Sequence, residues 1–151
     1  AQDEGFDTGG DDWWDTSEGM SFLNHRQGNS EFDKKVDAKL KKLFLEGNVV
    51  ITSYTLPWIV EGGVKIWLAG SMENSARRMT VRDNLSKNDT IKIVQRRYDE
   101  NKMIYKTLYG FEFGEDLSVF DKIIETDNLD AGHVLEVAKS TVRELFEIKT
   151  T

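Results

Sequence analysis

Apolar residues recur along this chain at two periods. Phe32, Val36, Leu40, Leu43 and Phe44 return every three or four positions, which predicts a helix with one inward stripe. Ser30 stands where an N-cap belongs, acids follow in the first turn, and Gly47 is a natural terminator. Ile91, Val94, Tyr98, Tyr105 and Leu108 trace a longer helix ended by Gly110. Val134, Val137, Ala138, Val142 and Leu145 trace a last one capped by Asp130, and Ser71 can cap another that runs to about Asp83. Three short apolar runs read as strands instead, at 49–51, 64–68 and 120–125. Pro57 and Gly62-Gly63 break the chain around Trp58, and 85–89 reads as a connection. Strands alternating with helices predict βαβ crossovers: an α/β fold with a parallel sheet and flanking helices. Such sheets bind ligands beyond the carboxyl ends of their strands.

The organisation follows from where polar residues concentrate. Residues 1–20 are rich in Gly and Asp and read as an acidic loop or weakly ordered segment; 21–151 read as a single domain. Of the 27 acids, seven lie in residues 1–18 with no Lys or Arg among them. The remaining 133 residues hold 20 acids and 20 bases, so the net charge of −7 belongs to the N-terminus. Between Arg77 and Lys106 nine bases face four acids, an excess that attracts anions or, equally, solvates two helix faces. The chain has no cysteine, which excludes a disulfide framework, a cysteine nucleophile and thiolate zinc sites and suits a reducing cytoplasm. No apolar run is long enough for a membrane span, and no strong nucleic-acid signal is present. The chain starts at Ala1, so either the initiator is removed or this is a fragment.

Several segments carry motif-like patterns in a fixed order: Thr8-Gly9-Gly10-Asp11, Gly19-Met20-Ser21, and the acidic helix start Glu31-Phe32-Asp33-Lys34-Lys35-Val36-Asp37. Glu46 to Ile51 and Lys65-Ile66-Trp67-Leu68 follow, then Arg78, Arg82 and Arg97, then Tyr105-Lys106-Thr107-Leu108-Tyr109-Gly110, and finally Asp116 to Thr126. Taken together across roughly residues 8–146, they resemble the archaeal-type cytidylate kinases, small nucleoside monophosphate kinases of the P-loop fold. The resemblance implies phosphoryl transfer from ATP, with Mg²⁺, to CMP. It implies that Arg78, Arg82 and Arg97 are lid cations acting in catalysis, and that Asp11, Asp33, Asp37, Tyr54 and Trp58 lie on the substrate side, Trp58 in the base pocket. The chemistry agrees at one point. Phosphoryl transfer is catalysed mostly by positioning and cationic stabilisation, and the fork of Arg suits phosphate. Arg78 and Arg82 are four apart and share a helical face.

Departures from the pattern matter as much. A G-x-x-x-x-G-K-[ST] loop, whose amides and Lys cradle phosphate, does not occur in these 151 residues. The expected fold is therefore P-loop kinase-like but lacking the first strand, the P-loop and the first helix. Tyr54 stands where the family has an arginine, and Ile104 replaces the arginine before Tyr105. The residues also admit plainer readings. Asp33 and Asp37 form an i,i+4 pair that reads as a solvated face beside Lys34 and Lys35, or as a substrate-side element. Asp83, Asp99 and Glu100 can neutralise the three arginines as surface pairs. Asp11-Asp12 can touch a metal or merely solvate a loop, and Trp13-Trp14 can stack on a base or pack against a partner. His25 and His133 lack ligand spacing and read as surface residues. Two functions stand: a cytidylate kinase-like nucleotide-binding domain, active if an upstream P-loop is supplied, and a degenerate, non-catalytic relative serving as a binding or assembly module. The expected partners are CMP, ATP or another anion in the first case and a protein in the second.

Overall fold

A computed structural model describes residues 19, 21–22, 30–83 and 86–149, with the side chains of 82, 83, 148 and 149 excepted. Asp11, Trp13-Trp14, His25 and the N-terminal acidic segment lie outside the described residues. Helix α1 spans Glu31–Glu46, and the short α2 spans Leu56–Ile59. Strand β1 (Ile66–Ala69) leads into α3 (Met72–Asp83) and α4 (Lys87–Tyr109); β2 (Lys122–Glu125) and α5 (Ala131–Lys149) close the chain. The two strands pair in parallel, Ile66 against Lys122 through Ala69 against Glu125, so α3 and α4 together form the crossover.

Local chemistry sets the element ends. Ser71 Oγ accepts from the Asn74 amide at 3.1 Å, and Asp130 Oδ1 accepts from the His133 amide at 2.8 Å, as N-caps do. Gly110 takes a left-handed φ of 77° and returns its N–H to Lys106 O, the conformation a helix C-terminus needs. Ser30 sits at the N-cap of α1 but makes no side-chain cap bond. Helix α4 begins at Lys87, inside the stretch expected to be a connection. Ser86 accepts from the Asp89 amide and donates to Asp89 Oδ2 at 2.6 Å, so the cap extends the helix by a turn.

The expected strand at 49–51 does not form. Among the described residues the sheet is two-stranded, and Val50 is 99% exposed. Strand preference measures fit to a neighbouring strand more than a backbone bias; a run with no ladder partner stays outside the sheet. The inward stripes also rotate. On α1 the inner face is Asp33, Asp37, Leu40 and Phe44, with Val36 and Leu43 exposed. On α4 it holds Thr90, Glu100, Asn101, Ile104 and Tyr105, and Tyr98 is more exposed than expected. On α5 Thr141 is buried and Val137 exposed. In each case the helix turns toward the partners its neighbours offer: the fully buried Thr90 meets Thr80 across the α3–α4 hairpin at 2.9 Å.

The core is aromatic. Phe113, buried beside Ile104 and Tyr105, has the rings of Tyr54, Trp58, Trp67, Tyr98 and Tyr105 around it at 5.5–6.0 Å. Trp58 stacks on Phe111, centroids 4.5 Å apart and planes within 2°. Gly114 follows with φ 77°, and a Cβ there would strike the Tyr98 ring, so glycine is what lets this turn close over the core. Because Phe113 joins α2, β1 and α4, Phe113→Ala is expected to lower the unfolding free energy by about 3–5 kcal/mol, read by urea denaturation.

Candidate functional site

Parallel pairing places the carboxyl ends of β1 and β2 side by side, and a polar joint forms there. Thr126 returns both its amide and its hydroxyl to Ala69 O, each at 2.8 Å. Asp127 Oδ1 accepts from the Ser71 amide at 2.8 Å and from Asn74 Nδ2 at 3.0 Å, so a carboxylate sits at the N-terminus of α3, where the helix dipole favours negative charge. The Ser71 amide, foremost, holds the Asp127 carboxyl below its ordinary value of 3.8. Arg78 reaches across the same joint: its Nη2 donates to Thr126 O at 2.8 Å and approaches Leu129 O at 3.5 Å. Arg77 donates to Asn74 Oδ1 at 2.6 Å.

A second polar centre lies beneath the loop at 52–58. Asp33 and Asp37, each 6% exposed, are buried and not solvated, which corrects the plainer reading of that pair. Asp37 Oδ1 accepts from the Thr55 hydroxyl, and Oδ2 accepts from the Tyr109 hydroxyl at 2.7 Å. These two donors are what permit a carboxylate to be buried there. Burial, then the hydrogen bond to Asp37 and the charges of Asp37 and Asp33, push the Tyr109 phenol well above its ordinary value of 10.0. Ser53 Oγ accepts from the amides of Thr55 and Leu56 at 3.2 and 3.1 Å and so starts α2. Lys65 Nζ donates to Pro57 O at 2.7 Å and Val60 O at 2.6 Å, closing the other end.

Of the sequence-predicted site residues, Tyr54 and Trp58 stand on this loop, and Asp33 and Asp37 stand beneath it. Tyr54 is 54% exposed, edge-on to Phe113. Trp58 has one ring face covered by Phe111, and its Nε1 donates to Asp116 O at 3.1 Å. Arg78 lies at the strand-end joint, bonded to backbone carbonyls; Arg97 is half-buried on α4; the Arg82 side chain lies outside the described residues. Ile104 fills core, where a guanidinium would have no place. Among the described residues, three of the nine bases in 77–106 are met by acids. Arg96 pairs with Glu100 at 2.7 Å, and Lys102 and Lys106 pair with Glu115 and Glu112, which lie beyond that window. The last two pairs line an open depression of about 500 Å³ that none of the predicted site residues touches. His133 is on the surface, paired with Asp130 at 2.8 Å.

Sequence reasoning missed Asp127, Asn74, Thr55 and the bond made by Tyr109. The spacing 33–37–40–44, a continuous inner stripe that includes both aspartates, was the available signal for the second centre. Among the described residues no group of three His, Asp or Glu stands close enough to hold a metal, and no helix is long and apolar enough to cross a membrane.

The described residues form a mixed α/β protein whose polar groups gather where its parallel strands end, the place where open α/β sheets bind ligands. The chain is 32% identical to the cytidylate kinase of Pyrobaculum aerophilum over 125 residues, 80% of this chain and 67% of that protein. It is 30% identical to the cytidylate kinase of Pyrococcus abyssi over 133 residues (85% and 73%) and 27% identical to that of Methanocaldococcus jannaschii over 131 (83% and 73%). The chain belongs to the cytidylate kinase family. It spans about two thirds of the length of its Pyrobaculum relatives, 65% in Pyrobaculum islandicum. No family model matches the chain. No solved structure matches it.

The two centres give opposite pH limits. The Asp127 carboxyl is depressed, so its contribution to stability is present above 3.8 and is lost as pH falls. Asp127→Asn is expected to flatten the acid limb of a melting-temperature profile. The Tyr109 phenol is raised, so its contribution is present below 10.0 and is lost as pH rises beyond it. Tyr109→Phe is expected to flatten the alkaline limb; an unchanged limb in either variant would contradict the assignment.

Proposed function

We propose that this chain is the acceptor-binding and lid part of a cytidylate kinase-like domain, which transfers the terminal phosphoryl of ATP to CMP when a P-loop is supplied from the same fold. The observation that carries the reading is the family similarity over more than 120 residues, falling on the segments that hold Asp33, Asp37, Trp58, Arg78 and Arg97. Asp33, Asp37, Tyr54 and Trp58 are the acceptor side. Arg78, Arg82 and Arg97 are the lid cations. Arg78 is already anchored beside the strand ends, where a transferring group would be held. Asp11 belongs to the acceptor side by resemblance. ATP brings the transferable phosphoryl, and Mg²⁺ enters with its phosphates, since this ion keeps phosphate oxygens and waters as ligands.

A second reading is a non-catalytic binding or assembly module. Two features favour it: Ile104 and Tyr54 put apolar and aromatic groups where the resemblance expects phosphate-gripping arginines, and Arg78 is committed to the carbonyls of Thr126 and Leu129. Calorimetric titration of the 151-residue chain separates the two. The kinase-like reading expects CMP to bind and Arg97→Ala to weaken it by about 1–3 kcal/mol, the range for charge-assisted hydrogen bonds. Undetectable CMP binding would leave the module. In a coupled assay the same chain, which contains no P-loop lysine, is expected to turn over below roughly 1 s⁻¹, the low end for kinases.

A further inference from the structure

The buried polar groups on α1 have a use that no assignment above gives them. A helix face that carries Asp33 and Asp37 inward and leaves Val36 and Leu43 exposed is not docked by apolar burial alone. One carboxylate instead bonds two segments that are remote in sequence. Asp37 takes the Thr55 hydroxyl, 18 residues away, on one oxygen and the Tyr109 hydroxyl, 72 residues away, on the other. Thr55 is the N-cap of α2, and Tyr109 is the last residue of α4. Further contacts run alongside: Phe32 meets Phe22 edge-on at 4.8 Å, and Phe44 sits where a Cβ on Gly63 would have to be.

We infer that Asp37 is a positioning residue locked by Tyr109, and that the two hold the loop at 53–58, and with it Tyr54 and Trp58, in its ligand-presenting conformation only while α1 is docked. The geometry makes the coupling reciprocal. Freeing Thr55 from Asp37 releases the start of α2; undocking α1 strips Thr55 and Tyr109 of their acceptor together. A ligand that orders the loop therefore also tightens α1 through the same carboxylate. Order within the loop supplies the remaining stiffness: Ser53 Oγ on two amides at one end, Lys65 on two carbonyls at the other. Asp37 is the tie between that stiff unit and α1, and Tyr109 fixes the tie to the end of α4.

The functional part of this inference rests on the acceptor-side reading, and its test keeps the two apart. Hydrogen–deuterium exchange of the full 151-residue chain is compared with Tyr109→Phe, Thr55→Val and Thr55→Ser. Losing one hydrogen bond to the carboxylate is expected to speed amide exchange at 53–58, and along α1, by about tenfold in the first two variants. Thr55→Ser keeps the hydroxyl and restores wild-type exchange. A spectroscopic arm reads the lock itself. Asp37→Asn removes the negative charge facing Tyr109, leaving Asp33 and Tyr105 beside it, and the Tyr109 ionisation, identified at 295 nm as the one Tyr109→Phe removes, then falls at lower pH. CMP affinity falls by about the same tenfold in Tyr109→Phe and Thr55→Val and returns in Thr55→Ser. Exchange at 53–58 within twofold of wild type in both disruptive variants, or no rescue by serine, overturns the proposal. If Tyr109→Phe does not fold, the two Thr55 variants decide it. If wild type binds no CMP, the acceptor-side reading fails, and the exchange and titration arms still decide the coupling.

Discussion

Two four-residue strands, Ile66–Ala69 and Lys122–Glu125, lie side by side only because bonds close the pair at both ends. At the entry Lys65 donates its amide to Asp121 Oδ2 at 2.8 Å and accepts the Asp121 amide on its own carbonyl at 2.9 Å. At the exit Thr126 and Asp127 reach back to Ala69, Ser71 and Asn74. A parallel pair this short has a small intrinsic advantage over solvation of its ends, and its crossover is long. Both costs are offset where side chains extend the ladder beyond its last residue. The α3–α4 hairpin, the Arg78 anchor and the aromatic cluster around Phe113 all hang from that pairing.

The exit joint and the clasp under the 53–58 loop solve one problem in two ways. Each holds a carboxylate with donors brought from elsewhere in the chain, Asp127 on the surface and Asp37 buried, where donors are obligatory. At the joint the donors are amides, with Asp127 seated at a helix N-terminus. At the clasp they are hydroxyls from Thr55 and Tyr109. The Ser71 amide, foremost, holds the Asp127 carboxyl down; burial, foremost, and then the bond to Asp37 hold the Tyr109 phenol up. The same acid type therefore guards opposite ends of the pH range.

Much of the secondary structure was legible in the chain. Helix caps at Ser71, Asp130 and Gly110 depend on bonds made within four residues, so local sequence specifies them. The segments at 64–68 and 120–125 read as strands and pair in parallel, as strand–helix alternation requires. The run at 49–51 has the same composition and stays outside the sheet, because a ladder needs a neighbour and composition cannot supply one. The stripes on α1 and α4 were misplaced by about one position for a related reason. Hydropathy counts Asp33, Asp37, Glu100 and Asn101 as outward, and for Asp37 it has no knowledge of the Thr55 and Tyr109 hydroxyls that arrive from far along the chain.

The sequence by itself determined the family, the boundaries of the four long helices to within a few residues, the parallel pairing of the two strands that form and the polar or apolar character of each segment, but not the short α2, which reads as a break at Pro57. All of these rest on composition and on contacts close in sequence. Tertiary structure decided what the charged residues do. Arg78 binds the carbonyls of Thr126 and Leu129, Lys102 and Lys106 are met by Glu115 and Glu112, and Asp37 holds Thr55 and Tyr109. A charge has no preferred partner until folding brings donors and acceptors within about 3 Å of it. For that reason the acidic pair on α1, which reads from the sequence as solvated surface or as a substrate-side element, sits inside the protein, where Asp37 bonds two of its remote parts.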